Sequence, residues 1–270
     1  MAKVRIGEAV LSSVRFWRTS TLQAAGALAL GYVGALAVAW ERLDLTDYVR
    51  RYGREAVSSA YLDWHEAVWV GGGALEFVGA LMALGILYRI ALDGLRRACV
   101  NAKPGPLGLN WGGDEWRLLI VLAFALLVAF YIPFAALPPI FQLVIDRHLD
   151  NPGVVRGIQT AALVTVAALG ALFSLAGAAT VATGRLALGL GLTSRRFLPV
   201  FAVFCLMIGA PAEGVLILDH FFHTAMEFAL AAAAIEEALW LFVCLPLAVG
   251  ATAAVYRRLV EPAGDAPSAA

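Results

Sequence analysis

Apolar residues gather in runs long enough to cross a bilayer, and short polar segments separate them. A helix rising ~1.5 Å per residue needs about 20 residues to cross a hydrocarbon core of ~30 Å. Six runs reach that length, at about residues 20–40, 67–88, 116–137, 160–184, 197–218 and 232–255. The pattern predicts an all-α fold, a polytopic transmembrane helix bundle of six spans. Residues 1–260 then form a single integral membrane domain, and 261–270 a disordered cytoplasmic tail.

Short amphipathic helices are expected between the spans. Tyr48, Tyr52, Ala56 and Ala60 recur every four residues, with Arg50, Arg51, Arg54 and Glu55 on the other face. That spacing predicts a helix lying on the outer surface, with Thr46 as its N-cap. Residues 6–11 and 186–192 read as interfacial helices on the inner side. Pro138-Pro139 stands where the third span leaves the bilayer and would direct residues 140–145 along the interface.

Composition narrows the class. Hydrophobic residues make up 61% of the 270, charged residues 15%, and the mean hydropathy is +0.80. Soluble domains run at about 45–50% apolar and about 25% charged. A disordered chain, a nucleic-acid module and an ordinary cytosolic enzyme are therefore excluded, and the bilayer itself is the expected partner. The 20 basic and 20 acidic residues balance, which also speaks against nucleic acid.

The basic residues are not evenly placed. Lys3, Arg5, Arg15, Arg18, Arg89, Arg96, Arg97, Lys103, Arg117, Arg185, Arg195, Arg196, Arg257 and Arg258 fall on one side of the six spans, which is 14 of the 20. Arg42, Arg50, Arg51, Arg54, Arg147 and Arg156 fall on the other. The richer side is cytoplasmic by the positive-inside rule, so both termini are expected inside a bacterial inner membrane. Trp17, Tyr88, Trp116 and Tyr256 are expected in the inner aromatic belt and Trp40 and Trp69 in the outer one, with Trp240 packed within the bundle. A competing reading takes Ala35-Leu36-Ala37-Val38-Ala39 as a signal-peptide cleavage site, which would leave five spans. The ~20-residue apolar run exceeds the usual 7–15-residue core of a signal peptide and favours an uncleaved anchor.

Small residues mark the expected helix contacts. They are Ala27, Gly31, Ala35 and Ala39 in the first span, Gly71-Gly72-Gly73, Gly79 and Ala83 in the second, and Ala167 and Ala171 in the fourth. Cys99, Cys205 and Cys244 lack metal-ligand spacing and any external pairing, so neither a zinc ribbon nor a disulfide framework is expected.

Two strings enter the membrane alike. Ser12-Ser13-Val14-Arg15-Phe16 precedes the first span and Thr193-Ser194-Arg195-Arg196-Phe197 the fifth, which raises a short parallel repeat. The most distinctive string runs from Pro106-Leu107-Gly108-Leu109-Asn110-Trp111 through Gly112-Gly113-Asp114-Glu115 to Trp116-Arg117-Leu118-Leu119. Here Asp114 or Gly113 would cap the third helix, and the two carboxylates suit its positive end. Together with the segment from Gly184 to Phe197, this string resembles a group of uncharacterised bacterial six-helix inner-membrane proteins. That group is distantly similar to the membrane domain attached to some glycerophosphodiester phosphodiesterases. The resemblance implies the six-helix layout and no chemistry, because the phosphodiesterase domain has no counterpart here.

Intramembrane ionisable residues are functional candidates by default. Helical rise places Glu76 about 10 Å and Glu213 about 6–8 Å below the outer surface, with Glu236 and Glu237 near the outer interface. His220 and His223 share a helix face at i,i+3 in the outer turn, close to Glu227. Glu213, His220, His223 and Glu227 form a candidate divalent-cation set, and Glu76, Glu213, Glu236 and Glu237 a candidate proton or cation path. No His-Glu-x-x-His or Gly-x-Ser-x-Gly string occurs. The favoured reading is a non-enzymatic accessory or assembly module with no catalytic residues and no resident cofactor, working with a membrane-protein partner or a second copy of itself. The alternatives are a small proton- or cation-coupled transporter and an outward-facing metal-binding enzyme.

Overall fold

A computed structural model describes residues 5–53, 58–93, 109, 111–128, 152–211, 214 and 229–260. The fold is all-α. The helices are α1 (Ile6–Ser20), α2 (Ala25–Tyr52), α3 (Ser59–Ala91), α4 (Gly113–Leu126), α5 (Pro152–Thr183), α6 (Leu186–Arg195), α7 (Phe197–Phe204), α8 (Ala229–Leu239) and α9 (Leu245–Val260). A 3-10 turn at Thr21–Ala24 joins α1 to α2. Wider π turns follow α7 at Cys205–Gly209 and join α8 to α9 at Trp240–Cys244.

Three helical stretches among the described residues are long and apolar enough to cross a membrane: Ile6–Tyr52, Tyr61–Ala91 and Leu230–Val260. A fourth appears if α6 and Phe197–Gly209, bent by 103°, are taken as one span. Large apolar side chains stay exposed, including Leu22 at 81%, Ile120 at 64% and Leu198 at 77%. Water would penalise such surface and hydrocarbon accepts it. The chain therefore reads as a multi-pass membrane protein.

Alpha2 and α3 lie against each other with almost nothing between their backbones. A Cβ added to Gly34 would stand 2.5 Å from the Gly72 carbonyl oxygen, and one added to Gly79 would stand 2.7 Å from the Ala27 carbonyl oxygen. Neither leaves room for a side chain. Ala27, Gly34 and Glu41 on α2 thus meet Gly79, Gly72 and His65 on α3, each pair seven residues from the next. This is the seam spacing of a left-handed antiparallel helix pair. Of the glycine triplet only Gly72 faces the seam, since a Cβ on Gly71 or Gly73 meets nothing within 4 Å.

Alpha1 packs antiparallel along the last helix. Glu8 pairs with Arg258, the Ser13 hydroxyl donates to the Leu247 carbonyl at 2.6 Å, and the Trp17 indole N–H donates to the Phe242 carbonyl at 2.8 Å. Ser13 is fully buried. Trp17, half-buried, therefore ties α1 to the last helix. Tyr88 and Tyr256 turn inward, at 7% and 1% exposure, whereas Trp40, Trp69 and Trp116 stay exposed. Trp240, expected inside, is 36% exposed on its π turn.

Other expectations change in detail. The separate surface helix does not form: α2 continues through Tyr48 to Tyr52, and Gly53, at φ 80°, ends it. Thr46 lies inside that helix, and its hydroxyl bonds back to the Arg42 carbonyl at 2.7 Å, so it caps nothing. Ala60 belongs to α3, which Ser58 caps by accepting from the Tyr61 N–H. Ala56, Pro138-Pro139, the 140–145 segment and the 261–270 tail lie outside the described residues. The two repeat strings behave differently, since α1 runs on into α2 as one 47-residue stretch while the chain turns sharply at Arg196. They are not copies of one structural unit.

Candidate functional site

Among the described residues the buried charges sit at the two ends of the α2–α3 pair. At one end α3 finishes with Arg89 and α4 begins with Asp114-Glu115. The Arg89 Nε donates to Asp114 Oδ2 at 3.1 Å and Nη2 donates to Glu115 Oε1 at 2.5 Å. Arg89, Asp114 and Glu115 are 7%, 2% and 0% exposed. The planar guanidinium suits two carboxylates at once. Glu115 also accepts the Gly112 N–H at 2.8 Å, so it closes the first turn of α4 from its third position. Gly112 is thus the N-cap residue, in place of Gly113 or Asp114. Gly85 makes room for this carboxylate, because a Cβ there would lie 3.0 Å from Glu115 Cδ.

The same end of the molecule gathers further chain ends. Arg257, near the end of α9, donates to the Ala91 carbonyl at 2.8 Å, and Arg5 pairs with Glu8 at 2.9 Å beside Arg258. The start of α1 and the ends of α3 and α9 therefore meet the start of α4 here.

The other end of the α2–α3 pair carries a second group. His65 Nδ1 stands 3.2 Å from Glu41 Oε1, and its Nε2 is 3.5 Å from Asp44 Oδ2 without a hydrogen bond. The Tyr61 hydroxyl donates to Asp44 Oδ2 at 3.1 Å, and the Tyr61 ring lies against Tyr48 and His65 with centroids at 4.3 and 4.1 Å. His65 and Glu41 are 3% and 6% exposed. Seven residues outward from Gly34 and seven back from Gly72 bring these two side chains together, so the glycine seam sets the pairing. Removing His65 strands a buried carboxylate. His65→Leu should cost about 1–3 kcal/mol, most of it recovered in the His65→Leu/Glu41→Leu pair; thermal unfolding of both variants in detergent reads this.

The candidates expected from sequence divide. Glu76 is half-buried on α3, and Glu237 on α8 lies within electrostatic reach of both Glu76 and Glu236. Glu76 and Glu237 thus lie near enough for their charges to interact. Glu213, His220, His223 and Glu227 lie outside the described residues. Among the described residues no group of three His, Cys, Asp or Glu side chains is arranged to hold a metal. Around His65 the reason is visible: its two ring nitrogens face different carboxylates and cannot converge with them on one ion.

Sequence reading missed Glu41, Asp44, His65 and Arg89. Their signal was present but weak: Tyr61 and His65 share a face at i,i+4, as do Glu41 and Asp44 at i,i+3. What was lacking was the register between the two helices.

No family model matches this chain, and neither the curated proteins nor the solved structures contain a match. What the fold defines by itself is an all-α, multi-pass membrane protein with buried ionic groups at both ends of one tightly packed helix pair.

Proposed function

We propose that the chain is a bacterial inner-membrane protein of six spans, with both termini cytoplasmic, acting as a non-enzymatic accessory or assembly module. One observation carries this reading: the described buried charges at either end of α2 and α3 are engaged in helix-to-helix clamps, Arg89 with Asp114 and Glu115, and His65 with Glu41. Charges used this way hold neighbouring helices in fixed register. Alpha4 begins the third span, α5 forms the fourth, α6 lies along the inner interface, α7 begins the fifth and α8–α9 form the last. The likeness to uncharacterised six-helix inner-membrane proteins agrees with this layout and remains part of the proposal.

A second reading has its own support. Glu76 on α3 and Glu237 on α8 lie near enough for their charges to interact, and intramembrane carboxylates serve proton and cation paths in carriers. Flux separates the two. Protein in sealed liposomes under an imposed proton or sodium gradient should carry no coupled flux above empty vesicles. Flux that is present in the wild type and lost in Glu76→Gln would replace the module by a carrier.

A further inference from the structure

Between α3, α4, α5, the π turns and α9 lies a cavity of about 410 Å³, lined almost wholly by apolar side chains. We propose that it is a binding site for one acyl chain of a bilayer phospholipid.

The cavity is built into the helices. Both π turns border it, the first through Ile208 and the second through Trp240 and Cys244. A π turn widens a helix locally at a cost in hydrogen-bond geometry, and such turns gather at functional sites. Alpha5 contributes Gly170 and Gly177 where it borders the space. A Cβ on Gly170 would lie 2.7 Å from Phe204 Cζ, and one on Gly177 3.1 Å from the Tyr88 hydroxyl. These two glycines let the Phe204 and Tyr88 rings lie directly against α5, and α5 and the two rings together form part of the cavity wall.

One end needs no polar ligand. The Thr252 hydroxyl donates to the Ala248 carbonyl at 2.9 Å, which leaves its oxygen to accept the Tyr88 hydroxyl at 3.1 Å. An acyl chain can lie against this pair because its hydrogen bonds are already made. From Trp240 to Thr252 the last helix runs about 18 Å at ~1.5 Å per residue, against about 15 Å for half of a ~30 Å hydrocarbon core. The site is thus as long as a chain spanning one leaflet. An apolar cavity stays dry, and leaving it empty lowers stability in proportion to its volume. Phospholipid surrounds the protein at high local concentration, so mass action fills such a site even at modest affinity.

The experiment is native mass spectrometry of protein reconstituted with phosphatidylethanolamine and phosphatidylglycerol and released into mild detergent. Wild type should retain one phospholipid per chain under conditions that strip detergent. Ala248→Phe, which fills the cavity, should hold at least tenfold less, while Leu22→Ala on the exposed face should retain it. Photo-crosslinking of wild type with a phospholipid bearing a diazirine in its acyl chain gives an independent reading, should the filled variant not fold. Adducts are expected on residues 170–177 and 240–252. Equal retention in wild type and Ala248→Phe, an isoprenoid in place of a phospholipid, or adducts confined to exposed faces would overturn the proposal.

Discussion

Arg89→Met should lower the stability of the purified protein by about 3–5 kcal/mol, the cost of removing one partner from a buried ion pair. Two carboxylates rest on this side chain, and Glu115 is fully buried. With the guanidinium gone, Glu115 stays fully buried against the Gly112 N–H, while Asp114 keeps the exposed Arg117 at 3.7 Å at the junction of α3 and α4. Arg89→Lys should recover only part of the loss, because an ammonium cannot reproduce the fork that reaches Asp114 through Nε and Glu115 through Nη2. The triple change Arg89→Met, Asp114→Asn and Glu115→Gln should recover most of it. It removes the stranded charge, and the glutamine still offers an oxygen to the Gly112 N–H. Thermal midpoints in one detergent measure all three. A near-silent Arg89→Met would mean that the clamp holds nothing.

The second large effect belongs to the glycine seam. Gly34→Ala and Gly79→Ala should each cost about 2–3 kcal/mol, since even one methyl group forces two backbones apart. Gly71→Ala and Gly73→Ala are the internal controls. Their added Cβ atoms meet open space, so the better helix propensity of alanine should leave stability unchanged or raise it by up to about 1 kcal/mol. Sequence spacing alone does not separate Gly72 from its two neighbours. Structure does, and unfolding midpoints for the four variants test the distinction.

These two effects show what the chain made legible and what it hid. Spans were readable because hydrocarbon imposes a length and a composition on any crossing helix. The ends of helices were harder. Gly53 stops α2 a full three turns beyond Trp40, because residues 41–52 have a buried partner in the start of α3 and so remain helical past the apolar run. Polar residues there looked like a surface helix when only their own periodicity was considered. The carboxylates Asp114 and Glu115 were legible as helix-start residues by their position near a dipole. Their pairing with Arg89 was not, since it joins residues across the segment between two spans. Tyr88 and Tyr256 had the composition of belt residues, yet they face the core, because aromatic identity does not say which side of a helix faces lipid. Glu76 was singled out by its apolar neighbours and Glu237 by its place near the outer interface; that their charges interact follows from α2 packing against both α3 and α8.

Multi-pass insertion with a defined direction is the claim on which the rest depends, and site-directed labelling tests it most directly. With Cys99, Cys205 and Cys244 replaced by serine or alanine, single cysteines go to the exposed positions Asp63 and Arg185. A membrane-impermeant thiol reagent applied to intact spheroplasts should label Asp63→Cys at once and Arg185→Cys only after permeabilisation. Labelling of both positions in sealed cells, or the reverse order, would contradict the account.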